Sequence, residues 1–268
     1  MTEKFVEFKK GKIAYFEKSK EKKQTLVFLH GFLENKEMWK YFTEVLSKKY
    51  RIVAIDLPGH GGSESFGYVH TMELMAESVK AVMNHLKLRK YFLIGHSMGG
   101  YIALAFAEKY PDNLKGLCLF HSSAAGDTSK KKKDRERAIE IVKENLPLYV
   151  NSTIKNLFSE KSNEVYKKEV NKLIKRAEKM NPQGVIAALK GMKDRLEREI
   201  VIRFAPFPVF FIVGMQDKVF DIEKILEQTQ IPRHKDALIL EEASHMGFIE
   251  NKFECIAALD RFAKMAFN

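Results

Sequence analysis

The sequence predicts an α/β fold: a mostly parallel sheet covered by helices on both faces, interrupted once by a block of helices. Three observations carry this. The runs Thr25–Leu29, Arg51–Ile55 and Tyr91–Ile94 are almost wholly apolar, as expected of strands buried on both faces. Helical patterns separate these runs, which is the alternation that crossover connections between parallel strands produce. From about 122 to 203 the alternation stops, and polar-faced helical patterns follow one another without a strand.

Taken in order, FVEFK at 5–9 and KIAYFE at 12–17 are short and aromatic-rich, joined by Lys10-Gly11, and read as an antiparallel hairpin. Strand 25–29 follows, then a helix over about 35–48, strand 51–55, and the loop DLPGHGGSES before a helix over about 71–87. Strand 91–94 runs directly into a helix ending near Tyr110, and strand 114–120 closes this half. Helices over about 130–145, 147–159, 163–180 and 183–197 fill the interruption. Strand 208–213, a helix near 221–229, strand 237–240 and a helix over about 248–266 complete the chain. The organisation expected is a core of residues 1–121 and 204–268, with 122–203 inserted as a helical cap over the C-terminal edge of the sheet.

Composition excludes several classes. No stretch approaches 18 consecutive apolar residues, and MTEKFVEFKK lacks the apolar segment of a signal peptide, so neither secretion nor membrane insertion is expected. Cys118 and Cys255 are the only cysteines, and each sits in an apolar setting as a small buried hydrophobe rather than half of a disulfide. The cytoplasm is the expected compartment. The net charge is +11, and residues 122–203 hold 20 Lys and Arg against 12 Asp and Glu, so most of the excess lies in the insertion. A lysine-rich solvated helical face accounts for it, with weak steering of an anionic substrate as the alternative. No helix-turn-helix, zinc-finger or RNA-binding aromatic signature is present, and nucleic acid is not an expected partner. A small-molecule substrate is, with the chain acting as a monomer or homodimer.

The chemistry concentrates in Gly95-His96-Ser97-Met98-Gly99-Gly100, between strand YFLI and helix YIALAFAEKY. A serine at a sharp strand-to-helix turn has strained backbone angles, and flanking glycines leave room for the turn to close. Ser97 is therefore the candidate nucleophile. Its hydroxyl needs a base. Among eight histidines, His245 follows the last strand at the C-terminal edge, and His121 ends a strand at the same edge and is its rival. His234 belongs to the opposite edge, His70 and His85 have a surface role, and the His96 side chain points away from its neighbour. The base needs an acid to fix its tautomer, and Asp217, after strand PVFFIV, is the candidate, with Asp127 as runner-up. The backbone N–H groups of Met98 and Phe32 are placed to hold a developing oxyanion. The Phe32 side chain, Met98, Phe120, Leu146, Leu148, Phe158 and Phe220 are expected to line an apolar pocket under the insertion. Trp39 reads as core, and Arg195 as a salt bridge from insertion to core. No metal-ligand cluster and no phosphate-binding loop is seen, so no metal or cofactor is implied.

TLVFLHG at 25–31, DLPGHGGS at 56–63, GHSMGG at 95–100, GMQD at 214–217 and SH at 244–245 resemble the α/β-hydrolase fold family, in its serine carboxylesterase and C–C hydrolase group. The resemblance spans the chain outside the insertion and keeps the family's motif order. It implies the α/β-hydrolase fold, an eight-stranded mostly parallel sheet with an inserted cap, and the triad order Ser97, Asp217, His245. It also implies that loop 56–63 is structural. The activity it implies first is hydrolysis of a small carboxylic ester through an acyl-enzyme. The same triad serves a C–C hydrolase or, since HGFLEN followed by a tryptophan resembles its oxyanion loop, a menaquinone-pathway synthase that eliminates pyruvate. A non-catalytic ligand receptor on this scaffold is the reading of another class, and turnover separates it from the enzymes.

Overall fold

The computed structural model describes residues 2–268. The strands are β1 (Lys4–Phe8), β2 (Gly11–Lys18), β3 (Thr25–Leu29), β4 (Arg51–Ile55), β5 (Tyr91–His96), β6 (Leu114–Phe120), β7 (Val209–Gly214) and β8 (Lys235–Leu240). They form one eight-stranded sheet in the order β1-β2-β4-β3-β5-β6-β7-β8. The first hairpin is antiparallel and β2 lies antiparallel to β4, while every pairing from β4 to β8 is parallel. Residues of β3, β5 and β7 are buried throughout, whereas β1 alternates between half-buried and exposed positions as an edge strand does.

The helices are α1 (Lys40–Leu46), α2 (Met72–His85), α3 (Met98–Lys109), α4 (Ser129–Asn156), α5 (Glu160–Val165), α6 (Lys167–Ala177), α7 (Pro182–Lys193), α8 (Glu199–Arg203), α9 (Ile222–Gln230), α10 (Gly247–Glu250) and α11 (Lys252–Phe267). Their starts follow local chemistry. Thr71 caps α2 by accepting the Leu74 N–H at 3.1 Å, Thr128 caps α4, and Asn181 caps α7 ahead of Pro182, whose missing N–H costs nothing at the first helical position. Helices α4 to α8 all lie between β6 and β7. Two expected helices, 130–145 and 147–159, are one element with a break at Asn145, where the backbone leaves helical geometry. Pro147 cannot donate to the preceding turn, and the Asn145 Oδ1 accepts the Leu148 N–H at 2.9 Å, capping the second half.

The insertion is fastened to the sheet layers by backbone and by charge. The His70 N–H donates to the Ala187 carbonyl in α7 at 2.9 Å. The buried Arg198 guanidinium pairs with Glu73 of α2 and, at 2.9 Å, with Glu108 of α3. This is the role expected of Arg195. The carboxylate partner of Arg195 is instead Asp127, on the same inserted segment, and Arg195 reaches the core through its face, 3.9 Å from the centre of the Tyr101 ring. The free cysteines 118 and 255 are buried, and among the described residues no helix is long and apolar enough to cross a membrane.

Trp39 is fully buried, as its sequence setting suggests, with ring centroids of Phe28, Phe42 and Phe120 at 5.0, 5.4 and 5.7 Å. It fills the floor beneath the C-terminal ends of β3 and β6. Trp39→Ala is expected to lower unfolding stability by about 3–5 kcal/mol, read from urea midpoints. A loss under about 1 kcal/mol would mean that the ring is not a core element.

Candidate active site

Because β3, β5, β7 and β8 run parallel, the loops that follow them gather at one edge of the sheet. Ser97 follows β5 with φ 50° and ψ −115°, in a region that non-glycine residues rarely occupy. The turn is held from both sides, with the Ser97 N–H donating to the Phe120 carbonyl at 3.0 Å and the Ser122 Oγ donating to the Ser97 carbonyl at 2.8 Å. A side chain at Gly99 would stand 2.6 Å from the Leu29 carbonyl oxygen, and one at Gly95 would strike the Gly99 backbone, so β3 and α3 can close on the turn only with glycine at both places.

His245 lies in the loop after β8, buried, and its Nδ1 donates to the Asp217 Oδ2 at 2.7 Å. Burial alone would push the Asp217 carboxyl up, but the adjoining His245 and His121 rings outweigh it and hold the group far below the usual carboxylate range. With Nδ1 engaged, Nε2 is the ring nitrogen left for other work. Ser97 and His245 line one cavity of about 630 Å³, and among the described residues neither Ser97 Oγ nor His245 Nε2 is engaged in a hydrogen bond. The rival base does not reach this cavity. His121 is fully buried, 3.5 Å from the same Asp217 oxygen, and burial lowers its pKa to about 4. Asp127 meets no histidine; Arg135 and Arg195 both pair with it.

The loop after β3 is equally fixed. His30 Nδ1 donates to the Gly31 carbonyl at 2.7 Å, and its Nε2 accepts the Leu57 N–H at 2.9 Å, which pins the tautomer. The Phe32 N–H forms no hydrogen bond among the described residues, and Met98 begins α3, so its N–H has no partner within the helix. Glu34, which the sequence reading does not single out, and His96, whose side chain turns away from Ser97 as expected, sit between these loops. Buried Glu34 accepts the Gly31 N–H at 2.9 Å and contacts His96 Nδ1 at 3.1 Å, while His96 Nε2 lies 3.1 Å from the His245 carbonyl. Both ring nitrogens of His96 thus face oxygen atoms, and the ring bridges the Phe32 loop to the His245 loop. An acid three residues past Gly31 was the only trace in the sequence, since its partner lies 62 positions away.

The pocket-lining expectations divide. Phe32 and Phe158 line the cavity, with Tyr101, Arg135, Tyr149 and Thr153 added by the fold. Phe120 does not line it; its ring turns into the Trp39 and Phe42 cluster and is fully buried. Leu146 is buried in the core with Val150 and Ile154, one turn apart, and Leu148 is 61% exposed. The cap at Asn145 sets that phase, and Leu148 therefore falls on the outer face. Phe220 packs 5.7 Å from the His245 ring outside the lining, and Met98 is buried. His70 is buried, against the expected surface role, and its Nε2 accepts the Phe66 N–H at 3.0 Å. Loop 56–63 is structural as expected: Asp56 accepts the Lys36 N–H at 2.7 Å and the Gly62 N–H at 2.8 Å.

Residues 24–252 match the alpha/beta hydrolase fold family. The chain belongs to this family. It is 27% identical to the pimeloyl-[acyl-carrier protein] methyl ester esterase of Aliivibrio salmonicida, over 88% of this chain and 91% of that one. It is 26% identical to a putative 2-succinyl-6-hydroxy-2,4-cyclohexadiene-1-carboxylate synthase of Bacillus subtilis, over 86% and 90%. Among solved structures, a thermophilic esterase from Thermogutta terrifontis with malate bound superposes over the whole of both chains, with a TM-score of 0.93 and 26% identity. Two other curated matches are local, and the chain spans 37% and 31% of those relatives' lengths. The fold class read from the sequence is thus the family's own.

His121, Asp217 and His245 also bring donor atoms within 4.8 Å of one another. A 2.7 Å separation between Asp217 and His245 is closer than neighbouring ligands of a tetrahedral ion at about 2.0–2.2 Å stand, and it suits proton chemistry. Burial lowers the pKa of His30, His70 and His121 to about 4 and that of His60 to about 3. The unfolded chain titrates its histidines near 6.5 and so binds more protons than the folded chain below that pH. Unfolding stability is expected to be full above about pH 6.5 and to fall steadily toward pH 4. Urea midpoints between pH 7.5 and 4.5 measure it, and a flat profile would show that these rings are not held neutral.

Proposed function

We propose that this chain is a serine hydrolase that cleaves a small carboxylic ester through an acyl-enzyme. The observation that carries the reading is the 2.7 Å His245–Asp217 hydrogen bond on the wall of the cavity that holds the strained Ser97. In this mechanism Ser97 Oγ attacks the ester carbonyl as His245 Nε2 takes its proton. Asp217 stays ionised, keeps Nδ1 protonated and stabilises the imidazolium. The Phe32 and Met98 N–H groups donate to the carbonyl oxygen as it gains charge, each contributing roughly 3–4 kcal/mol of transition-state stabilisation. His245 then returns the proton to the leaving alcohol, and a water activated by the same ring releases the acid from Ser97. Helices α4 to α8 act as a cap that narrows the cavity and excludes bulk water. The esterases among the similar proteins support this reading.

A second reading keeps the triad and replaces the ester with an anionic substrate whose C–C bond is cleaved or from which pyruvate is eliminated. Arg135 on the cavity wall favours it, as does the similarity to the synthase. Hydrolysis of p-nitrophenyl esters from acetate to decanoate, by the wild type and by Ser97→Ala, tests the first reading. The expected result is turnover that falls roughly 10⁴- to 10⁶-fold in the variant. Equal rates in both proteins would remove Ser97 from the mechanism, and turnover of no ester by either would bring the anionic substrates forward.

A further inference from the structure

Arg135 carries charge that the proposed reaction does not use. It stands on α4 and lines the cavity that Ser97 and His245 share. Both Arg135 and Arg195 pair with Asp127, whose side chain has no exposed surface. One carboxylate balances only one guanidinium, so the cluster keeps a surplus positive charge at the cavity wall.

The two arginines are not equivalent. Both terminal nitrogens of Arg195 have oxygen acceptors: Nη1 donates to Asp127 and, at 3.0 Å, to the Met192 carbonyl, and Nη2 donates to the Ala125 carbonyl at 3.1 Å, while the buried Nε has no partner among the described residues. Its face lies on Tyr101, and its side chain is 3% exposed. Arg135 is looser. Its Nε donates to Asp127, its Nη2 reaches the same carboxylate only at 3.4 Å, and Nη1 has the Met192 sulfur at 3.6 Å. A thioether is a weak acceptor, so the outer N–H groups of a five-donor fork lack an oxygen partner. The Arg135 side chain retains 18% exposure. Nor do the acids on the cavity wall satisfy it. Glu34 is engaged by Gly31 and His96, and Glu160 shares its wall with Lys155 and Lys218.

We infer that Arg135 is a carboxylate subsite, and that the substrate is a half-ester of a short dicarboxylic acid. This rests on the ester-hydrolase reading. The free carboxylate takes the outer fork of Arg135 in a paired, planar contact while the ester carbonyl lies at Ser97. The surplus charge is then balanced, whereas an uncharged ester leaves the outer N–H groups of Arg135 without an oxygen acceptor. Arg135 can be replaced without stranding Asp127, which keeps Arg195.

The test compares kcat/KM for monomethyl glutarate and dimethyl glutarate in the wild type, Arg135→Gln and Arg135→Lys. The wild type is expected to prefer the half-ester, and the half-ester to diester ratio to fall roughly 10- to 100-fold in Arg135→Gln, with part of it restored by lysine. An unchanged ratio, or an equal fall for both esters, overturns the subsite. Should Arg135→Gln not fold, inhibition of the wild type settles the matter: glutarate is expected to compete with p-nitrophenyl acetate at least tenfold better than glutaramide, and equal inhibition overturns the proposal. Calorimetric titration of Ser97→Ala with glutarate reads the subsite without turnover. If the wild type cleaves no ester but glutarate binds and glutaramide does not, the esterase reading fails and the subsite stands. If neither binds, the subsite fails.

Discussion

The architecture depends on one strained turn. At φ 50° Ser97 sits where an L-residue is held only by its surroundings, and two other parts of the chain, the end of β6 and the end of β3, do the holding. Strand β6 accepts its N–H, Ser122 donates to its carbonyl, and the β3 backbone packs against Gly99 with no room for a side chain. The parallel order of the central strands follows from the same requirement, because only neighbours running in one direction bring their C-terminal ends to a common edge. The cost of the strain is local, and its support is spread over β3, β5 and β6.

Around that turn the polar groups form two buried hydrogen-bonded chains. Asp217 holds His245 through its side chain, while the Glu34 and His96 pair holds the His245 loop through its carbonyl and the loop of Phe32 through the Gly31 N–H. Displacement of His245 in one direction lengthens the bond of its ring to a carboxylate, and in the other it lengthens the bond of its carbonyl to an imidazole. The ring is therefore confined in two dimensions before any substrate arrives.

The sequence reveals the fold class and the sheet most clearly, because β3, β5 and β7 are buried on both faces and leave uninterrupted apolar runs. The chain positions of Ser97, Asp217 and His245 are legible for a related reason: each follows a strand whose direction the alternation fixes. Side-chain partners are much less legible. Leu146 and Leu148 look interchangeable in ENLPLYV, and only the cap at Asn145 decides which faces inward. Arg195 and Arg198 stand three residues apart with similar neighbours, yet one meets Asp127 and the other meets Glu73 and Glu108. The pairing of Glu34 with His96 joins two motifs 62 positions apart. Periodicity reports burial; it does not report who meets whom across a tertiary contact.

The N–H of His245 donates to the Leu157 carbonyl at the end of α4, at 3.1 Å, so the loop that carries His245 is stitched to the insertion as well as to the sheet. An outward swing of α4 must either break this bond or carry the His245 backbone away from Ser97. The placement of the His245 backbone and that of α4 are thus one placement, joined by a single main-chain bond.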